Sequence, residues 1–117
     1  MPKVFILSPV ANTSIDVSKA AAFGGITYVF EHSDKRPSVF NHTAYGRAVI
    51  ERMMTLGFDN QVDYFCCVGS MISLAVTLVA LSYNNPTLRI LLFDATHAEY
   101  VVKQFDSSVF ASEQWTR

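Results

Sequence analysis

The residues best able to do chemistry are small and polar, and they stand at the ends of apolar runs. Ser8 follows Lys3-Val4-Phe5-Ile6-Leu7, with Asn12, Thr13 and Ser14 close behind. Gly69-Ser70 follows Tyr64-Phe65-Cys66-Cys67-Val68, and Asp94 follows Leu88-Arg89-Ile90-Leu91-Leu92-Phe93. If these runs are parallel strands, their carboxyl ends lie side by side, where open α/β sheets bind ligands. Free amides opening a helix after Gly69-Ser70 would attract an anion, and glycine lets it come close to the backbone. Ser8, Asn12, Thr13, Ser14, Gly69, Ser70 and Asp94 are therefore the candidate set for a nucleotide or another small anionic, phosphate-bearing ligand. The signal is generic. Neither GxGxxG nor GxxxxGK[ST] occurs, and Gly-Ser at a strand–helix junction is also an ordinary turn.

No catalytic constellation accompanies these residues. Ser70 has the place of a nucleophile-elbow serine, but Val68 and Ile72 stand where G-x-S-x-G needs glycine. His97 and Asp94 are suitable as base and orienter, yet they share one tight turn and no spacing brings them to Ser70. A hydrolase or transferase is the least favoured reading, and the expectation is a non-enzymatic protein. His32 and His42 flank a polar stretch containing Lys35 and Arg36. No HxH or HxxxH pair is present, so no metal site is expected, and no cofactor motif is visible. Lys35 and Arg36 suit either an anionic ligand or plain solvated loop. Cys66 and Cys67 are neighbours, so on a strand they point to opposite faces and cannot readily share a metal or an ordinary disulfide. They read as buried small side chains in a reducing compartment.

Bulk properties narrow the partners. The chain has 117 residues, half of them apolar and 16% charged, with a formal net charge of −1. That composition suits one α/β domain over residues 1–105 with an irregular tail over 106–117. There is no basic field to draw in nucleic acid. Tyr64 to Leu88 carries no charge, long enough to raise a membrane span. Gly69-Ser70 and Asn84-Asn85-Pro86 interrupt it, leaving only about 14 residues of helix, too few to cross hydrocarbon. The amino terminus lacks a signal-peptide layout. A cytoplasmic protein with neither membrane nor nucleic-acid partner is expected.

The positioning elements follow from periodicity. Residues 3–7, 26–30, 63–68 and 88–93 are continuous apolar runs of the kind that form buried parallel strands. Residues 99–105 read as a strand returning antiparallel. Between them fall three helices: Ile15 to Phe23 stopped by Gly24-Gly25, a second from Asn41 or Thr43 to Leu56 stopped by Gly57, and a third over Met71 to Tyr83. The order β-α-β-α-β-α-β-β implies a small Rossmann-like or flavodoxin-like three-layer α/β sandwich. Its mostly parallel sheet has order 2-1-3-4-5 and an antiparallel last edge.

The third helix is apolar nearly all round, with Ser70, Ser73 and Thr77 as a narrow hydroxyl stripe. A helix on the surface of a monomer should show a charged face. The expectation is therefore a homo-oligomer, a two-fold homodimer first of all, through Met71, Leu74, Ala75, Leu78 and Leu81. The alternative cover is the tail, with Phe110 and Trp115.

Local patterns recur in a familiar order. Lys3-Val4-Phe5-Ile6-Leu7 opens the chain, Phe23-Gly24 precedes Ile26-Thr27-Tyr28-Val29-Phe30, and Asn41 leads a helix containing Tyr45. Asp63-Tyr64 starts a strand, Gly69 and a small-residue helix follow, and Leu91-Leu92-Phe93 precedes a strand with Tyr100-Val101. Over residues 3 to 105 this resembles a group of short, uncharacterised proteins encoded by tailed bacteriophages, departing at Ser8-Pro9 and in the tail. The resemblance implies a viral origin and action in a bacterial cytoplasm, and it carries no site residue. The leading functional expectation is a small viral accessory protein that works by protein–protein contact with itself and with a host or phage component.

Overall fold

The computed structural model describes residues 1–9, 17–31 and 35–108. Five strands, β1 (Lys3–Ile6), β2 (Gly25–Tyr28), β3 (Tyr64–Cys66), β4 (Thr87–Asp94) and β5 (Glu99–Asp106), form one sheet in the order β2-β1-β3-β4-β5. β1 runs parallel to β2 and β3, and β3 parallel to β4. β5 folds back antiparallel along the full length of β4, from Asp94 opposite Glu99 to Thr87 opposite Asp106. This is the topology expected from the apolar runs. Val4, Phe5 and Ile6 are wholly buried because β1 has a strand on each side and side chains packed on both faces.

Two helices of 14 residues each, α1 (His42–Thr55) and α2 (Met71–Asn84), lie on one face. Their inward residues Tyr45, Val49, Met53 and Leu81 pack with Phe5, Phe65 and Ile90 from the sheet. The opposite face carries a different cluster of Val4, Ile6, Cys66, Val68, Leu91 and Tyr100, covered by Ala20. Ala20 belongs to a 3₁₀ helix over Val17–Ala22, and this is all the described structure retains of the first expected helix. Ile15 and Asp16 lie outside the described residues. A Cβ on Gly24 would sit 2.5 Å from the Pro2 carbonyl oxygen, and the Gly25 amide donates to that oxygen at 3.2 Å. The chain has therefore left the helix by Gly24, where the expected stop stands, to start β2 against β1.

Helix ends follow their capping residues. The Asn41 side chain accepts the Ala44 amide at 3.4 Å, and Gly57, at φ +81°, turns the chain out of α1. Ser70 caps α2 by accepting the Ser73 amide at 3.3 Å. The buried Asp63 carboxylate accepts the backbone amides of Lys3 at 2.9 Å and Asp59 at 2.8 Å, tying the start of β1 to the turn before β3. At α1–α2, Gly46 lies where an added Cβ would be 3.5 Å from Ala80 and from Val76, so the helices approach closely.

Candidate functional site

Three places gather functional side chains. The first is a cleft of about 340 Å3 at the carboxyl ends of β1 and β3. It brings together Ser8, Gly69 and Ser70 of the predicted set, as a parallel sheet with its switch point between those strands requires. Gly69 has φ +142°, a conformation that side chains rarely adopt, while nothing within 4 Å would obstruct a Cβ. The glycine is thus held there by backbone geometry rather than by lack of space. Four further polar residues, Arg36, Ser38, Tyr45 and Ser73, line the cleft outside the predicted set, with Leu7, Pro37 and Val39 beside them. Arg36 was visible as a loop cation, but only the fold shows which strand ends it meets. Asn12, Thr13 and Ser14 lie outside the described residues.

Asp94 occupies a second place, the turn between β4 and β5. Its Oδ2 is 2.7 Å from His97 Nδ1, and the Thr96 amide donates to Oδ1 at 3.0 Å. The His97 hydrogen bond holds the Asp94 carboxyl below its ordinary pKa. Ligand-type atoms of Asp94, His97 and Glu99 lie within 4.8 Å of one another, a grouping that contains no histidine pair. His97 is two-thirds exposed and its Nδ1 already faces Asp94, so Asp94 and His97 brace the hairpin turn. Ser70 Oγ bonds Ser73 Oγ at 2.7 Å, and among the described residues no hydrogen bond joins it to His97. The hydroxyl serves α2 as a cap.

The third place is the outer side of α2. Here polarity is inverted relative to an ordinary surface helix. Thr77 points into the core, fully buried, and its hydroxyl has no hydrogen-bond partner. Met71, Val79 and Tyr83 point out, with exposures of 86%, 73% and 87%. With exposed Ala75 they form a row at four-residue spacing, which is one face of a helix. Between this row and α1 runs a mainly apolar groove of about 1110 Å3, with Ile50 on its floor side and His42, Arg47 and Asn84 among its polar lining.

The expected interface set is thereby divided. Met71 and Ala75 lie on the open face. Leu81 is 1% exposed inside the protomer's own core, and Leu74 and Leu78 are half-buried against that core. Helical phase is the reason. The sheet takes the stripe containing Leu74, Leu78 and Leu81, which leaves the Met71 row outside, and Val79 and Tyr83 belong to that row. An all-round apolar helix gives no signal of which stripe faces in. Phe110 and Trp115, the alternative cover, lie outside the described residues.

The cysteines separate as adjacent strand residues must. Cys66 packs in one layer and Cys67 against the other. Burial, with Cys67 beside it, pushes the Cys66 thiol up to about 12, and burial pushes Cys67 up to about 11. Both stay protonated at neutral pH and are poor nucleophiles. No helix among the described residues is long and apolar enough to cross a membrane.

Comparison with known proteins agrees with the resemblance carried by the local patterns. No curated protein and no solved structure matches the chain. A family model described as Phage Pam3 gp32-like protein matches residues 2–107, from the start of β1 to just past the end of β5. The match takes in every strand and both α-helices, and the chain belongs to the Phage Pam3 gp32-like protein family.

Proposed function

We propose that this phage protein acts without catalysis, as a homodimeric accessory factor built on the outer face of α2. The observation that carries the reading is the exposed row Met71, Ala75, Val79 and Tyr83 beside the α1–α2 groove. Large apolar side chains clustered on one helix face mark contact surfaces. The row suits a second copy of the same chain for two reasons. It is large at both ends and smaller in the middle, so an antiparallel two-fold pairing sets Met71 of one copy against Tyr83 of the other and lets the backbones approach at Ala75. It is also free of charge: no Asp, Glu, Lys or Arg occurs from Tyr64 to Leu88, so a copy meeting itself across a two-fold axis suffers no like-charge repulsion. Arg47 and Asn84 at the groove edge supply the polar rim of such an interface.

The dimer is then the working unit, presenting the remaining surfaces of both copies to a host or phage protein. A phage product acts in the infected bacterium, and the unbridged Cys66 and Cys67 suit its reducing cytoplasm. Sedimentation equilibrium of the full chain at micromolar concentration tests the reading. A dimer is expected, and Val79→Lys should raise the dissociation constant at least about tenfold by burying an unpaired charge. A monomer across the micromolar range would overturn the reading.

A further inference from the structure

We propose that the cleft at the carboxyl ends of β1 and β3 binds a small phosphate monoester, with the α2 amino terminus and Arg36 holding its phosphate. The helix terminus is open. Leu74 makes the first intrahelical bond, to the Ser70 carbonyl at 3.0 Å, and the Ser73 amide goes to the Ser70 hydroxyl. The amides of Met71 and Ile72 precede these bonds and have no helical acceptor. Gly69, at φ +142°, delivers the chain into that first turn.

A second observation, independent of the helix, marks the cleft as a site. Tyr45 lines it and is only 5% exposed. Among the described residues its hydroxyl has no hydrogen-bond partner, and it keeps some accessible surface. A ligand oxygen accepting from it in the cleft would supply a hydrogen bond that the described residues do not.

The other polar groups there are donors as well. Ser73 Oγ accepts from Ser70, and Ser38 Oγ accepts the Phe40 amide at 3.2 Å, so each keeps its own proton to give. Arg36 stacks over the Phe30 ring at 5.3 Å and, among the described residues, pairs with no carboxylate. No carboxylate lines the cleft among the described residues. A cation and three hydroxyl protons line the cleft beside a helix terminus with two free amides, and with no acidic group among the described residues this set matches a tetrahedral dianion. The volume exceeds what a phosphate ion fills, and Leu7 and Val39 offer apolar wall to an organic group. That favours an ester over the free ion.

The test is titration of the full chain with ribose 5-phosphate, adenosine monophosphate and inorganic phosphate at matched ionic strength. Binding is read from amide chemical shifts and from melting temperature. At least one ester should move the Met71 and Ile72 amide signals and raise the melting temperature. Arg36→Gln, on an exposed loop, should weaken binding about tenfold. Tyr45→Phe, which retains the ring against Phe30, should weaken it a few-fold with an unchanged fold by far-ultraviolet circular dichroism. Three results would overturn the proposal: no binding by either ester, binding of inorganic phosphate alone, or ester binding that both variants leave intact.

Discussion

Helices α1 and α2 have the same length and cover the same face of the same sheet, yet they show solvent opposite surfaces. Outward, α1 places Arg47, Glu51 and Thr55, with Met54 its one large apolar exception. Outward, α2 places Met71, Ala75, Val79 and Tyr83. Both satisfy the core through a similar inner stripe. Covering a sheet therefore does not require an apolar outer face, since α1 does without one. The proposed dimer accounts for the difference, since α2 buries a threonine while exposing methionine and tyrosine.

Variants sharpen that contrast, and the inner faces should give the largest effects. Leu81→Ala and Met53→Ala each empty a fully buried site and should each cost about 3 kcal/mol in urea unfolding. If only one of them destabilises the protein, the helices do not contribute alike to the core. Next comes Thr77, whose sealed hydroxyl lacks a partner. Thr77→Val keeps the shape, removes the unmatched group and should stabilise by about 1 kcal/mol, visible as a higher urea midpoint. Loss of stability there would mean that the hydroxyl finds an acceptor in solution.

A smaller gain is expected at the helix contact. An alanine methyl at Gly46 would meet Ala80 and Val76 at 3.5 Å, ordinary van der Waals contact. Gly46→Ala should raise stability by about 0.5 kcal/mol through helix propensity. The smallest effect lies in the β4–β5 turn. Hydrogen bonding to His97 depresses the Asp94 pKa. The folded state therefore gains from this pair above the ordinary aspartate pKa and loses that gain as pH falls through the depressed folded value. His97→Ala should return Asp94 toward its ordinary value in a carboxyl-carbon NMR titration, with little change in melting temperature because the pair is exposed.

The sheet is legible in the sequence because its inner strands are largely buried and its strands alternate with helices. Residues 3–7, 26–30 and 88–93 read as apolar runs, and their alternation with helices leaves few topologies. The first helix is legible in place through its Ala-rich stretch and Gly24-Gly25 stop, but not in its 3₁₀ winding over Val17–Ala22. The close approach of Gly24 to Pro2, a tertiary constraint, marks where it must have ended. At the cleft, Ser8, Gly69 and Ser70 are legible as strand ends. Tyr45 is not, because at helical spacing a buried tyrosine looks like core, and only the partnerless hydroxyl distinguishes it. In α2 the apolar excess is legible, whereas its phase is set by packing on the sheet. Leu81 and Met71 look equivalent until that packing is known.

Cross-linking tests the asymmetry between the helices most directly. The native Cys66 and Cys67 thiols, pushed up to about 12 and about 11 by burial, leave an introduced surface cysteine as the reactive one. Ala75→Cys on the outer face of α2 and Glu51→Cys on the outer face of α1 should be treated with a short bis-maleimide at equal, dilute protein concentration. The account predicts a covalent dimer from Ala75→Cys and monomer from Glu51→Cys. Equal yields from the two variants, or no dimer from Ala75→Cys, would contradict it.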